Sequence, residues 1–304
     1  MRRLLLLAAC AGLGGCSVLA PVTEILAPKP FFAPPSDLGA QMVAIETETG
    51  GRLGAFVVDA DGKSLLAYRA DERFAMCSTF KTLLAAMVLE GVQQGSYDLD
   101  QPLAFDPADL VGYSPYVERY AAVGSVTLGG AAGAAVSLSD NSAANLLYDL
   151  VGGPGTLFQW LRTTGDKVSW PSRLEPDLNE NAAGDMRDTT TPAAMGKTLH
   201  RLLTGNRLNN ISKAQLETWL RASETGGARI RAGLPARWVV GDKTGTCGFP
   251  NPAYNDVAVV RPSPRTEPYV IAVYLDRPAT DAAAADAAIA KVAALAASGI
   301  AADR

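Results

Sequence analysis

The sequence predicts an α/β chain of the α+β kind: a five-stranded antiparallel sheet flanked by helices, plus an all-helical lobe. Three observations predict it. One helical pattern and two strand-like runs lie near the start, within residues 37–68. The middle of the chain is mostly helical in pattern. The last third carries three more strand-like runs and closes on an Ala-rich helix. Sheet segments at both ends with a helical block between them make a sheet from both termini, with the block as a second lobe. A cleft between lobes is where a site is then expected.

Residues 37–48 repeat at helical spacing, with Leu38, Met42, Val43 and Ile45 as candidate core positions, ahead of Gly50-Gly51. Residues 52–59 alternate as a strand, Leu53, Ala55 and Val57 against Gly54, Phe56 and Val58. Asp59-Ala60-Asp61-Gly62 reads as a hairpin turn and Ser64 to Tyr68 as its second strand. A helix then runs from near Ser78 to near Gly91 along the apolar stretch Leu83 to Leu89. Residues 92–135 are turn-rich, with short pieces at Leu103-Ala104-Phe105, at Asp109 to Tyr113 and around Val126.

Ser139 opens the next helix, with Ala143, Ala144, Leu146 and Leu147 on its buried side and Gly152-Gly153-Pro154 at its end. Another helix covers Thr156 to Thr163. Residues 171–192 hold prolines and carboxylates with little periodicity, and a loop of that length inside a compact domain is usually functional. Helices follow over Pro192 to Leu203 and Ser212 to Arg221. Trp238 to Lys243, Ala258 to Val260 and Tyr269 to Tyr274 are strand-like, and a helix from about Asp281 to Ala297 closes the order. The lobes then divide as an α/β lobe of about 37–75 and 228–304, and a helical lobe of about 76–227.

The 304 residues are 48% hydrophobic and 19% charged, a globular composition with enough chain for a large core. Net charge is −4, and no basic stripe argues for nucleic acid. Residues 1–15 read as a signal peptide: Arg2 and Arg3 precede an apolar run, Leu4 to Leu13, too short to span a bilayer. Leu13-Gly14-Gly15-Cys16 resembles the cleavage box of bacterial lipoproteins, where the cysteine becomes the lipidated first residue. Residues 16–36 then form a Pro-rich tether. The plainer reading is ordinary cleavage near Ala20. Either way, localisation is expected to be periplasmic, and a lipidated Cys16 adds anchoring to a bacterial membrane. Cys10 is lost with the leader, so Cys77 and Cys247 remain in the folded body. Two body cysteines in an exported chain suggest one disulfide; two unpaired buried thiols are the alternative.

Four short stretches carry chemistry. In Cys77-Ser78-Thr79-Phe80-Lys81 a helix places Ser78 and Lys81 on one side at i,i+3, and an amine held near a hydroxyl takes or shares its proton. A plain helix cap is the bland reading of that serine. Ser139-Asp140-Asn141 offers a hydroxyl relay and an amide, or merely a cap at Asp140. Lys243-Thr244-Gly245-Thr246 ends a strand: Lys243 can meet a substrate carboxylate, Gly245 admits a ligand close to the backbone, and the Thr246 and Ser78 N–H groups can form an oxyanion hole. The bland reading is a strand edge with a turn. In Arg173-Leu174-Glu175-Pro176-Asp177-Leu178-Asn179, Glu175 and Asn179 at i,i+4 can hold a water between carboxylate and amide, or simply decorate a surface loop.

Each motif alone is weak. Ser-x-x-Lys, Ser-Asp-Asn, Glu-x-x-x-Asn and Lys-Thr-Gly in this order resemble the serine beta-lactamases of class A, a motif set also known, without the glutamate, from penicillin-binding proteins. The resemblance spans nearly the whole chain after the leader. It implies hydrolysis of a beta-lactam amide, with Ser78 acylated and Lys81 helping to activate it. It implies that Glu175 and Asn179 activate the deacylating water and that Ser139 relays a proton to the lactam nitrogen. Asn141 meets the substrate's side-chain amide, Lys243 and Thr244 receive its carboxylate, and Tyr113 is the aromatic gatekeeper. Arg173 and Asp188 match the ion pair pinning the two ends of the omega loop. Cys77 and Cys247 match the disulfide of class A carbapenemases, and Thr246 and the carboxylate-side Arg229 match their pattern too. The implied substrates are carbapenems, penicillins and cephalosporins, with no cofactor, no metal and a monomeric state. A penicillin-binding carboxypeptidase lacks the deacylating carboxylate that Glu175 supplies. A non-hydrolytic binding lipoprotein would carry decayed motifs, and none is decayed here. A zinc hydrolase of this kind needs several histidines, and His200 is the only one.

Overall fold

The computed structural model describes residues 37–302. The expected signal peptide, the tether and Cys16 lie outside the described residues. The elements run α1 (Leu38–Thr49), β1 (Arg52–Val58), β2 (Ser64–Tyr68), β3 (Phe74–Ala75), α2 (Phe80–Gln93), β4 (Pro102–Ala104) and β5 (Ser125–Thr127). They continue with α3 (Leu128–Ser137), α4 (Asn141–Val151), α5 (Pro154–Thr163), β6 (Thr189–Thr190), α6 (Pro192–Thr204) and α7 (Asn210–Arg221). The last are α8 (Ile230–Gly233), β7 (Val239–Cys247), β8 (Ala253–Arg261), β9 (Tyr269–Asp276) and α9 (Ala282–Ala302).

The main sheet has five strands in the order β2-β1-β9-β8-β7, all antiparallel. Strands from both ends of the chain do meet, as expected: β1 pairs with β9 from Arg52 opposite Asp276 to Val58 opposite Val270. The period-2 alternation sends Leu53, Ala55 and Val57 to one face and Phe56 and Val58 to the other. Both faces are buried. The first joins Met42, Ile45, Ile289 and Val292 under α1 and α9. The second merges with a large core of α2, α3, α4 and α6, in which Leu83, Leu84, Val136, Leu147 and Leu199 are fully buried. That shared core fixes the helical block against the sheet.

Local chemistry sets the element ends. Gly50 and Gly152 sit at φ 63° and 87°, the left-handed region that closes α1 and α4. The Asp140 side chain accepts from the Ala143 N–H at 2.7 Å and so caps α4. Thr191 caps α6, whose first residue is Pro192.

Four expectations need correction. Val43 is half exposed, because α1 buries the narrow stripe Met42, Ile45 and Thr49, and Leu38 is only half-buried. Leu146 is likewise half-buried. Residues 128–137, inside the turn-rich stretch, form the helix α3. Strand β7 does not end at Lys243: its pairing with β8 continues to Cys247 opposite Ala253, since β8 begins at Ala253 rather than near Ala258.

Candidate active site

The turn Cys77–Thr79 leads directly into α2. It starts from Cys77 at φ 44°, and the whole turn is buried, with Ser78 8% exposed. Strand β7 passes against it. A Cβ on Gly245 would fall 2.7 Å from the Met76 carbonyl and 3.2 Å from the Cys77 Cβ. The crowding that demands a glycine thus comes from the chain's own Cys77–Thr79 turn, where the sequence analysis expected a ligand. Cys77 and Cys247 form a disulfide, with their Cα atoms 5.6 Å apart, that crosses this same contact.

Lys81, one turn on from Ser78, is fully buried. Its ammonium lies 2.9 Å from Glu175 Oε1 and donates to Asn141 Oδ1 at 2.6 Å and to the Ser139 carbonyl at 2.8 Å. Burial pushes the Lys81 pKa down, and Glu175 partly offsets that. Lys81 pairs with Oε1 as an ion pair, and no other donor among the described residues bonds that oxygen. Glu175 Oε2 accepts from Asn179 Nδ2 at 2.6 Å.

Ser139 sits at φ 62°, just before the Asp140 cap, and does not itself open α4. The backbone kink turns its carbonyl to Lys81 and its hydroxyl to Lys243, whose Nζ donates to Ser139 Oγ at 2.9 Å and to the Thr244 carbonyl at 2.8 Å. Lys243 is fully buried. Desolvation, then the nearby Lys81 charge, push its pKa well down. Its charge therefore acts from behind Thr244 rather than through an exposed side chain.

Ser78, Tyr113, Ser139, Asn141, Asn179, Arg229, Thr244 and Thr246 all line one cleft cavity of about 290 Å³. Lys81, Glu175, Lys243 and Gly245 form its buried backing. Tyr113, 62% exposed at φ 62°, stands at the rim, where its carbonyl accepts from the Asn141 N–H. Arg229 is held by Asp286 at 2.6 Å, by the Gly245 and Asn255 carbonyls, and by Thr246 Oγ1 at 2.8 Å. Arg173 Nε meets Asp188 Oδ2 at 2.6 Å across the ends of the 171–192 loop, and Asp188 Oδ1 accepts from the Ser172 and Arg173 N–H groups. Burial raises the Asp188 pKa, and the Arg173 bonds oppose that. Among the described residues no cluster of His, Cys, Asp and Glu is arranged to hold a metal.

Sequence reasoning missed three supports. Asn145 bonds both backbone groups flanking Glu175: its Nδ2 donates to the Glu175 carbonyl at 2.9 Å, and its Oδ1 accepts from the Glu175 N–H at 3.0 Å. It lies four residues after Asn141 on α4, so the i,i+4 spacing was the available signal. Thr225 lines the cleft and shares a 2.6 Å hydrogen bond with Thr244 Oγ1. Asp256 is fully buried beside Asp242, and its Oδ2 accepts from the Ile230 N–H. Desolvation, then the Asp242 charge, push its pKa up to about 8. No sequence signal marked either of these two.

Comparisons with known proteins give the family and the fold. The profile of the Beta-lactamase enzyme family matches residues 37–300. The chain is 42% identical over 248 residues to beta-lactamase SME-1 of Serratia marcescens, covering 81% of this chain and 83% of that protein. It is 40% identical over 257 residues to beta-lactamase CTX-M-8 of Citrobacter amalonaticus, covering 84% and 87%. Among solved structures, an ancestral (GNCA) beta-lactamase of class A superposes with a TM-score of 0.81 at 51% identity, covering 85% of this chain and 98% of that one.

Proposed function

The chain belongs to the class A serine beta-lactamases, hydrolases of the beta-lactam amide, and on that premise we propose the residues and the substrate range of this member. Ser78 attacks the lactam carbonyl and becomes acylated. Its proton leaves through the Lys81–Glu175 pair, the one buried acid–base couple beside it among the described residues. The developing oxyanion is received by the N–H groups of Ser78 and Thr246, on two segments that touch at Gly245. Ser139, with Lys243 behind its hydroxyl, passes a proton to the lactam nitrogen. Thr244, Thr246 and Arg229 take the substrate carboxylate in the field of Lys243, and Asn141 takes the side-chain amide.

Glu175 and Asn179 then hold the water that releases the product, and the Glu175 carboxylate takes its proton. The observation that carries this reading is the placement of Glu175: one oxygen accepts a hydrogen bond from the Asn179 side-chain amide, and the other stands 2.9 Å from Lys81 with no further donor on it. A penicillin-binding protein needs no such carboxylate.

Carbapenem hydrolysis is part of the proposal, with penicillins and cephalosporins. It is supported by the Cys77–Cys247 bridge, which ties the Ser78 turn to the strand of Thr246, and by Arg229 at the carboxylate end. A monomeric state is part of the same proposal. Export, with lipidation of Cys16 as membrane anchor, completes the reading; the mass of the mature N-terminus tests it.

The decisive experiment mixes protein lacking residues 1–20 with excess imipenem and follows loss of the lactam's ultraviolet absorbance. Loss over many enzyme equivalents is expected. A burst of one equivalent followed by a halt would refute carbapenem turnover, and benzylpenicillin in the same assay then separates an ordinary class A enzyme from a penicillin-binding protein.

A further inference from the structure

Beyond Asn179 the catalytic loop is stitched to the segment that follows β7. Glu180 and Phe249 form a parallel bridge. The Asn181 N–H donates to the Phe249 carbonyl at 3.1 Å. The Asn181 side chain then grips both backbone groups of Asn251: its Nδ2 donates to the Asn251 carbonyl at 2.8 Å, and its Oδ1 accepts from the Asn251 N–H at 3.0 Å. Asn251 answers with its own Nδ2 on the Asn181 carbonyl at 3.2 Å. Both asparagines are half-buried. One residue upstream of this ladder, Asn179 Oδ1 lies 3.6 Å from the disulfide sulfur of Cys247.

Residues 179–181 therefore run alongside 247–251 as a short two-stranded clasp. Glu175 is held from another side, by Asn145 on α4. Two anchors thus lie at the two ends of the Glu175–Asn179 pair: α4 holds the Glu175 backbone, and the clasp holds the chain that follows Asn179, whose amide itself donates to Glu175 Oε2 and to the Pro176 carbonyl. We propose that the Asn181–Asn251 clasp is a positioning device for deacylation, setting where Asn179 presents its amide to the attacking water. The proposal rests on the roles given above to Glu175 and Asn179. It bears on the step that uses Asn179, the second half of the reaction; among the hydrogen bonds of the described residues none joins the Asn181–Asn251 pair to Ser78, Lys81 or Ser139.

The test compares wild type with Asn181→Ala, Asn251→Ala and the double variant. Acylation by benzylpenicillin is timed by quenched mass spectrometry, and deacylation by decay of the acyl-enzyme. Asn181→Ala removes two of the side-chain bonds and Asn251→Ala removes one. Deacylation is expected to fall about tenfold in the first and less in the second, since a displacement near 1 Å can cost on the order of a hundredfold. Acylation stays within about twofold, and the double variant falls by less than the product of the two single losses, as members of one unit behave. Equal falls in both steps, multiplicative losses, or unchanged deacylation overturn the clasp. Amide hydrogen exchange over residues 176–181, read without substrate, must rise in both single variants; unchanged exchange overturns the proposal whatever the turnover. A wild type that is acylated but never released refutes the hydrolytic reading separately, and exchange still decides the clasp. Melting temperatures identify any variant too unstable to compare, and Asn251→Ala, the milder change, then stands as the informative one.

Discussion

Replacing both Cys77 and Cys247 with alanine removes the cross-link without leaving a lone thiol. The bridge closes a loop across a sequence separation of 170 residues. A loop of that length gives a chain-entropy contribution of about 5 kcal/mol, near the upper end of the 2–5 kcal/mol usually lost with a native disulfide. For a domain of this size 1 kcal/mol shifts the melting temperature by about 2–4 °C, so a fall of about 10 °C or more is expected. Activity is expected to fall too, and for a local reason. Cys77 precedes Ser78, Cys247 follows Thr246, and the Cys247 sulfur touches Asn179. Loss of the bridge loosens both segments assigned to the oxyanion hole, whose donors act only when correctly placed. The assay is thermal melting by circular dichroism, with imipenem and benzylpenicillin turnover at a temperature where both proteins stay folded. A double variant that melts within about 2 °C of wild type and keeps its turnover would refute the structural argument.

Glu175→Gln is expected to leave Ser78 acylatable while slowing release about a hundredfold or more, the usual worth of a general base; intact-protein mass after mixing with benzylpenicillin reads the trapped adduct, and release at the wild-type rate would remove Glu175 from the mechanism. Asp188→Ala strands Arg173 at the neck of its loop and costs roughly 3 kcal/mol, the lower end for breaking a buried pair; an unchanged denaturation midpoint would mean that Glu180 alone suffices for Arg173. Asp256, its pKa pushed up to about 8 by burial and by Asp242, keeps in the folded state a proton that the unfolded chain releases at about pH 4. The native state therefore binds more protons between about pH 4 and 8, and stability falls as pH rises through that window. In Asp256→Asn this component is gone, so the variant's melting temperature should gain on wild type from pH 5 to 8; a flat difference would contradict the assignment.

The sheet was legible because its strands are apolar runs bounded by turns, and buried strands must be apolar whatever covers them. Helix α3 was not legible, because Leu128-Gly129-Gly130-Ala131-Ala132-Gly133 has the composition of a loop. Its glycines are there for close approach. A Cβ on Gly130 would strike the Tyr116 hydroxyl, and one on Gly133 would meet Trp219 at 3.0 Å. Tertiary packing overrode propensity there. The four motifs marked the cleft well, because each pairs chemistry with a fixed local spacing. Asn145 escaped although it shares a helix face with Asn141. Thr225 and Asp256 escaped because only folding decides which residue stands behind Thr244 or beside Asp242.

The two lysines explain why the site needs so many buried partners. Lys81 and Lys243 are both fully buried, both have lowered pKa values, and the Lys81 charge bears on Lys243. They converge on one residue: Lys81 on the Ser139 carbonyl, Lys243 on its hydroxyl. Two ammonium groups out of water are tolerable only with nearby negative charge. Glu175 supplies it for Lys81 and Asp242 for Lys243, while Asp256, which keeps its proton up to about pH 8, adds its charge only above that. Neutralising Glu175 therefore does more than disable a base for water. It also removes the largest influence holding the Lys81 proton on, so Lys81 becomes easier to deprotonate and more of it stands as the free amine that can accept the Ser78 proton. Acylation in Glu175→Gln consequently distinguishes two routes. Acylation at the wild-type rate means that Lys81 suffices to activate Ser78, and acylation that falls together with deacylation means that the proton travels through Glu175 in both halves of the reaction.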